Sequence, residues 1–380
     1  MPGPEPKRVI LIGSTGSIGR QTLDVIARHH DRFTVVGLSA HRDEDGLRRA
    51  ATAYPAAALC LSGAIPRSGS IRHHGPDGLV RLIEETSADI VVNAAAGADG
   101  LEPSFAALRS GKDLALANKE TIVMAGRLAL EAAASCGRRI LPVDSEHAAL
   151  FNMIERFGAG SVRGVIITAS GGAFRQTPLE RLPFVTPRDA LAHPTWNMGA
   201  KITIDSASMA NKGLEVIEAA RLFGLAPESI NVAIHPESRV HSFIRTRDGS
   251  LYAQISKPDM RLPIINALSW PAMIDEQIAD LDPTESPMTF FRPESARYPL
   301  LGLAYEALAA GEGYTVAYNA ADEVAVAAFM NGSIRFTDLY GVVAATLDHE
   351  HPRLVDSLVA VRDADRRARE MAALALKEIA

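Results

Sequence analysis

A chain of 380 residues is long enough for two or three domains, by a prior of ~100–200 residues each, and can bury a large core without staples. Its 47% apolar and 22% charged residues suit a globular protein, and a formal net charge of −6 leaves no basic surplus to neutralise nucleic-acid phosphates. Two cysteines, Cys60 and Cys136, are too few for a disulfide framework and lack metal-ligand spacing, which fits a reducing compartment.

Residues 1–149 read as an α/β domain, Rossmann-like, with a doubly wound parallel sheet. Short apolar runs at Val9–Ile12, Phe33–Leu38, Ile90–Ala94, Leu114–Ala117 and Ile140–Val143 alternate with helix-like segments. Val9–Ile12 is far too short for a signal-peptide core, and no run of ~18 apolar residues occurs, so a cytoplasmic protein with no membrane partner is expected. The first run leads into Gly13-Ser14-Thr15-Gly16-Ser17-Ile18-Gly19 and then a helical pattern. Strand, glycine turn and helix N-terminus form a cradle for a dinucleotide diphosphate. An NAD site usually places an acid after the second strand; here Ala40-His41-Arg42 comes first, which suits a 2′-phosphate and favours NADPH.

Polar clusters follow the later strands. Asn118-Lys119-Glu120 stands at a strand end, where ligands of open α/β sheets bind. Asp144-Ser145-Glu146-His147 offers two carboxylates to one hard cation; helix capping would use the same acids.

Residues 150–285 read as an α+β catalytic domain with an open sheet. Val165–Thr168, Lys201–Ile204, Val232–Ile234 and Leu251–Ile255 look like strands, with a helix beginning near Ser206 and a hairpin turn at Arg247–Ser250. Ser170-Gly171-Gly172 suits an anion nest or a tight turn. His193-Pro194-Thr195-Trp196-Asn197-Met198-Gly199 suggests a lid loop near 193–201. Ser208, Asn211, Lys212 and Glu215 lie at helical offsets and are expected on one face, suited to a phosphorylated, metal-chelated polyol. His235 and His241 lie six apart near a strand end, and Met260 is suited to pack on a nicotinamide ring. The proline-rich stretch 286–299 reads as a linker, and 300–380 as a C-terminal helical domain.

In this order the segments resemble the 1-deoxy-D-xylulose 5-phosphate reductoisomerase family, from Gly13 to Tyr318-Asn319-Ala320-Ala321-Asp322-Glu323. The resemblance implies NADPH and a divalent cation (Mg2+, Mn2+ or Co2+), a small phosphorylated sugar substrate, a homodimer and a place in non-mevalonate isoprenoid biosynthesis. It implies Asp144, Glu146 and Glu215 as metal ligands, with Ser170, Ser206, Asn211 and Lys212 on the phosphate and His193 near it. Lys119, Ser145, Glu146 and His241 would surround the reacting carbons, under a lid bearing Trp196 and Met198. The implied cofactor set is Gly13, Ser14, Thr15, Gly16, Ser17, Ile18, Gly37, His41, Arg42, Ala94, Asn118, Lys119, Glu120, Gly199 and Met260. The chain departs from the family pattern at Ala40-His41-Arg42, at Glu237 and at Arg239. A semialdehyde- or homoserine-type NADP-dependent dehydrogenase would share the cofactor domain but needs no metal carboxylates. A silent NADPH-binding regulator would bind cofactor without turnover.

Overall fold

The computed structural model describes residues 5–67, 69, 71–192, 198–285 and 287–379, which form two compact units. The first comprises residues 1–121, 129–148 and 259–278, and the second 122–128, 149–258 and 279–380. His193 and Trp196, expected at the substrate, lie outside the described residues.

In the first unit, seven strands form one parallel sheet: β1 (Lys7–Ile12), β2 (Phe33–Ala40), β3 (Ala58–Leu61), β4 (His73–His74), β5 (Ile90–Asn93), β6 (Asp113–Leu116) and β7 (Ile140–Pro142). Their order is β4-β3-β2-β1-β5-β6-β7. Val9, Ile10 and Leu11 are completely buried, as expected for a parallel strand covered on both faces. The winding reverses between β1 and β5, so the crevice at their carboxyl ends is the ligand position of such a sheet. Two strands escaped the sequence reading. β3 is Ala-Leu-Cys-Leu, without a β-branched residue, and β4 has only two residues.

Segment 259–278 was expected in the central domain, yet it packs within the first unit. Its helix Arg261–Ser269 lies against helix Ser17–Arg28, which follows the glycine loop. Lys7 Nζ donates to Leu268 O at 2.7 Å, meeting a helix C-terminus with a cation. Buried Glu276 takes His29 Nε2 at 2.7 Å and has Arg28 at 3.7 Å.

The second unit holds a four-stranded sheet of β8 (Val162–Ala169), β9 (Ile230–Ile234), β10 (Val240–Thr246) and β11 (Leu251–Ile255), in order β11-β10-β8-β9. β10 and β11 form the expected hairpin, with Asp248 Oδ1 accepting from Thr246 Oγ1 and Ser250 N across the turn. Lys201–Ile204, expected as a strand, is the first part of helix Ala200–Ser208. Ile202 and Ile204 alternate with polar residues, which mimics a strand; the buried set Thr203, Ile204, Asp205, Ala207 and Ser208 instead gathers on one side of a helix. A second correction concerns the helix expected from Ser206 onward. It is broken at Met209, whose φ is +64°, and resumes as Ala210–Phe223, so Ser208 does not share a helix with Asn211.

The stretch 287–298 has no regular element but is more than a surface linker. Phe291 bridges to Ile234 of β9, and buried Tyr298 donates to Gly171 O at 2.9 Å. Helices Pro299–Ala310, Glu312–Met330, Asp338–Leu347 and Leu358–Ile379 complete the unit. No helix among the described residues is long and apolar enough to cross a membrane.

Gly13, directly after β1, is tightly constrained: its φ is +77° and an added Cβ would lie 2.6 Å from Ala94 O. We expect Gly13→Ala to destabilise the chain by ~1–3 kcal/mol, from backbone strain together with the steric conflict. The check is the denaturation midpoint, which should fall.

Candidate active site

The glycine loop is built from the ends of β1 and β5. Gly13 brings the loop against Ala94, while Ser14 N and Oγ both donate to Ser39 O at the end of β2, at 2.8 and 2.9 Å. Any side chain on Gly19 would run into the backbone of Gly13 and Ser14, so the helix starts in direct contact with the turn. Gly16 caps that helix without a side-chain bond, and its first turn contains no acid. Backbone N–H groups and positive dipole at such a terminus favour a diphosphate.

The segment after β2 carries His41 and Arg42, the two basic residues singled out in the sequence. His41 and Arg42 are exposed, with Gly63 leaving room for the imidazole, which meets Ser62 Oγ at 3.3 Å. The following acids are committed elsewhere. Asp43 caps helix Glu44–Ala51 by accepting from Gly46 N at 2.8 Å. Glu44 turns inward and is held at about 2 by the Arg67 backbone N–H and by the Arg48 guanidinium. Both acids are thus engaged within the chain, Asp43 as a helix cap and Glu44 with arginines. Gly37, within β2, lies against Ile10 in the sheet interior.

Asn118 and Glu120 hold a loop. Asn118 Oδ1 caps its helix through Thr121 N, and Nδ2 donates to Ala95 O, Gly97 O and Glu120 Oε2 at 2.8–3.0 Å. Glu120 Oε1 accepts from Gly97 N at 3.2 Å. Their side chains therefore shape the loop after β5, a role the bare triplet did not reveal.

Lys119 begins the next polar group. Its Nζ donates to Asp144 Oδ2 at 2.6 Å, with both side chains largely buried. Asp144 Oδ1 meets His147 Nδ1 at 3.1 Å and Glu146 N at 3.2 Å, and Ser145 Oγ donates to Glu146 Oε2. The sequence treated His147 as the weak member of its run; the structure makes it a fully buried neighbour of Asp144. Met260 is in the same unit as the glycine loop and precedes helix Arg261–Ser269.

In the second unit, the Ser170 loop and the end of helix Ala200–Ser208 come together. Gly172 has φ +68°, and an added Cβ would lie 2.4 Å from Ser206 O, so only glycine permits this approach. Beyond Met209, Asn211 Nδ2 donates to Glu215 Oε1 at 2.5 Å and Lys212 Nζ pairs with Glu215 Oε2. Glu215 is 1% exposed and Lys212 3%. Asn211 Oδ1 is buried without a hydrogen-bond partner, an acceptor suited to a ligand hydroxyl. His241, on β10, shares its Nε2 with Ser256 Oγ at 2.8 Å. Gly199 is exposed at the start of helix Ala200–Ser208.

Comparison with known proteins matches the chain to the 1-deoxy-D-xylulose 5-phosphate reductoisomerase model over residues 9–126. Two C-terminal domain models of that enzyme match residues 140–223 and 255–371. The reductoisomerase of Treponema denticola is 44% identical over 367 residues, covering 96% of each chain. That of Geotalea uraniireducens is 45% identical over 374 residues, covering 96% of this chain and 97% of its own. Among solved structures, the Zymomonas mobilis enzyme in complex with NADPH superposes with a TM-score of 0.89 and 41% identity, over 98% of this chain and 99% of its own. A DOX-P reductoisomerase in complex with NADPH, fosmidomycin and magnesium gives 0.90 and 34%, over 98% of each chain. With similarity running from the glycine loop to the last helices, this chain belongs to the 1-deoxy-D-xylulose 5-phosphate reductoisomerase family.

Proposed function

We propose that the chain converts 1-deoxy-D-xylulose 5-phosphate to 2-C-methyl-D-erythritol 4-phosphate, by metal-assisted skeletal rearrangement followed by reduction with NADPH, in non-mevalonate isoprenoid biosynthesis. The observation that carries this reading is its 44% identity to a reductoisomerase across 96% of both chains. The dehydrogenase alternative is not favoured, since it accounts for neither that identity nor the carboxylates. The solved relatives bound to NADPH and magnesium support both cofactors.

Asp144, Glu146 and Glu215 are proposed as the cation ligands. Carboxylate oxygens are the donors a hard divalent ion prefers, and when bound it acts as a Lewis acid on the substrate's carbonyl and hydroxyl oxygens. Lys119 orients Asp144 through its 2.6 Å bond, as Lys212 and Asn211 orient Glu215. Ser170, Ser206, Asn211 and Lys212 hold the substrate phosphate, with His193 nearby. Ser145, Lys119, Glu146 and His241 surround the reacting carbons, and Trp196 with Met198 excludes water.

NADPH supplies the hydride and is held by Gly13, Ser14, Thr15, Gly16, Ser17 and Ile18 at its diphosphate. His41 and Arg42 take the 2′-phosphate, and Met260 packs beside the nicotinamide. Gly37, Ala94, Asn118, Lys119, Glu120 and Gly199 complete the proposed cofactor set. The functional divisions proposed are 1–149 for the cofactor, 150–285 for catalysis, 286–299 as linker and 300–380 as the helical region.

We place the protein in the cytoplasm as a homodimer. An edge position and exposed Leu251, Tyr252 and Ile255 make β11 a natural pairing surface for a second copy. Ile255→Lys should then shift sedimentation velocity toward the monomer; an unchanged sedimentation coefficient would remove β11 from the interface.

NADPH absorbance followed with 1-deoxy-D-xylulose 5-phosphate tests the activity directly. Oxidation should require magnesium or manganese, stop with chelator, and yield methylerythritol phosphate. Glu215→Gln should abolish turnover while NADPH still binds; an active variant would sink the metal assignment. Lys212→Ala should raise KM for the sugar phosphate by ~10-fold or more, since remote phosphate binding positions the reacting end. Normal substrate affinity there would remove Lys212 from the phosphate site.

A further inference from the structure

The segment Tyr318–Glu323 carries part of the family resemblance yet has no place in the proposed chemistry. It forms the middle of helix Glu312–Met330, with Tyr318, Asn319 and Asp322 at most 1% exposed. Two of its side chains meet the two helices that bear the phosphate candidates. Asp322 Oδ2 accepts from Lys201 Nζ at 2.6 Å, and the same ammonium lies 2.7 Å from Asp205 Oδ2. Lys201 and Asp205 belong to helix Ala200–Ser208, so this pairing fixes the helix that carries Ser206.

One turn earlier on the same helix, Tyr318 supports the second arm. Its hydroxyl donates to Leu300 O at 3.1 Å, and burial pushes its ionisation well above the ordinary range, so it stays a donor. A Cβ on Gly213 would lie 2.6 Å from Tyr318 Oη and 2.7 Å from Ala304 Cβ. Helix Ala210–Phe223 therefore rests on Tyr318 through a glycine, one residue after Lys212. Between the arms stands Met209, buried and left-handed. Such a conformation persists where its surroundings over-determine it. Buried carboxylates around one ammonium are likewise weak stabilisers and are better explained by the arrangement they enforce.

We propose that Asp322 and Tyr318 are positioning residues for the substrate phosphate. Through Lys201 and Gly213 they set the angle of the corner on which Ser206, Asn211 and Lys212 stand. This inference rests on the phosphate reading of those three residues.

Asp322→Asn keeps the size of the side chain and removes its charge. The expected result is a KM for 1-deoxy-D-xylulose 5-phosphate raised ~10-fold, with kcat within ~3-fold, because a small misplacement of a binding group is costly. The NADPH Kd, read by cofactor fluorescence, should not move. Lys201→Gln should act in the same direction, and the double variant should be no worse than the worse single change, because Asp322 acts through Lys201. Tyr318→Phe keeps the ring and removes the hydroxyl, with its Leu300 bond and its contact to Gly213; a KM rise of ~3-fold is expected, and it serves as the test if Asp322→Asn fails to fold. A substrate KM within ~2-fold of the parent in the folded variants overturns the proposal, since misplacement should cost more than that. Equal rises in substrate KM and NADPH Kd, or effects that multiply in the double variant, also overturn it. Lys212→Ala in the same series separates the two ideas: a normal KM there rejects the phosphate reading, whatever Asp322→Asn does.

Discussion

Carboxylates drawn out of water need cations, and that requirement organises the polar interior of both units. Asp144 is answered by Lys119, Glu215 by Lys212, and Asp205 with Asp322 by Lys201. In each of these pairs the ammonium and its carboxylate belong to the same unit. A buried ion pair rarely stabilises a fold against an apolar replacement of the same shape. Its value here is geometric: the acids proposed to meet the metal are already aimed, and aimed groups need little reorganisation when charge develops. The conspicuously polar core is thus consistent with a catalytic rather than a purely structural purpose.

The proposed 2′-phosphate preference turns on how acids are used rather than on how many there are. Residues 41–45 contain three acids beside His41 and Arg42, and a count of charges would give no preference for a 2′-phosphate. The fold removes Asp43 by making it a helix cap and Glu44 by clamping it between Arg48 and Arg67. Asp45 pairs with Arg67. Of the five, only Glu44 is buried, and His41 and Arg42 are exposed beside two acids already engaged by a cap and by Arg67.

Much of this was legible in the sequence because its signals are local. A strand, a glycine turn and a helix occupy consecutive residues, and the motifs after β1, β6 and β7 fall where an open sheet binds ligands. The readings that failed were those decided by packing. Ile202-Thr203-Ile204 alternates like a strand, and only the helical spacing of its buried residues shows otherwise. Met209 gives no sign of its left-handed backbone, because non-glycine residues adopt it only when neighbours impose it. Lys201 with Asp205 was available as an i,i+4 pair on a helix, but the strand assignment hid it. Asp322 could not be found that way at all, since its partner is 121 residues distant.

The division of the chain sets a further constraint on how these sites arise. The backbone passes from one unit to the other at 121/122, 128/129, 148/149, 258/259 and 278/279. A fragment ending at residue 121 would lack β7 and the helix packed on Ser17–Arg28, and so could not complete the first unit. Lys119 and Asp144 lie on either side of the 122–128 excursion, so their contact closes a loop that includes part of the second unit's chain. Loop closure is entropically unfavourable before native contacts compensate for it. The Lys119–Asp144 contact therefore spans chain that belongs to the second unit, and a fragment cut at residue 121 would keep the lysine without its carboxylate.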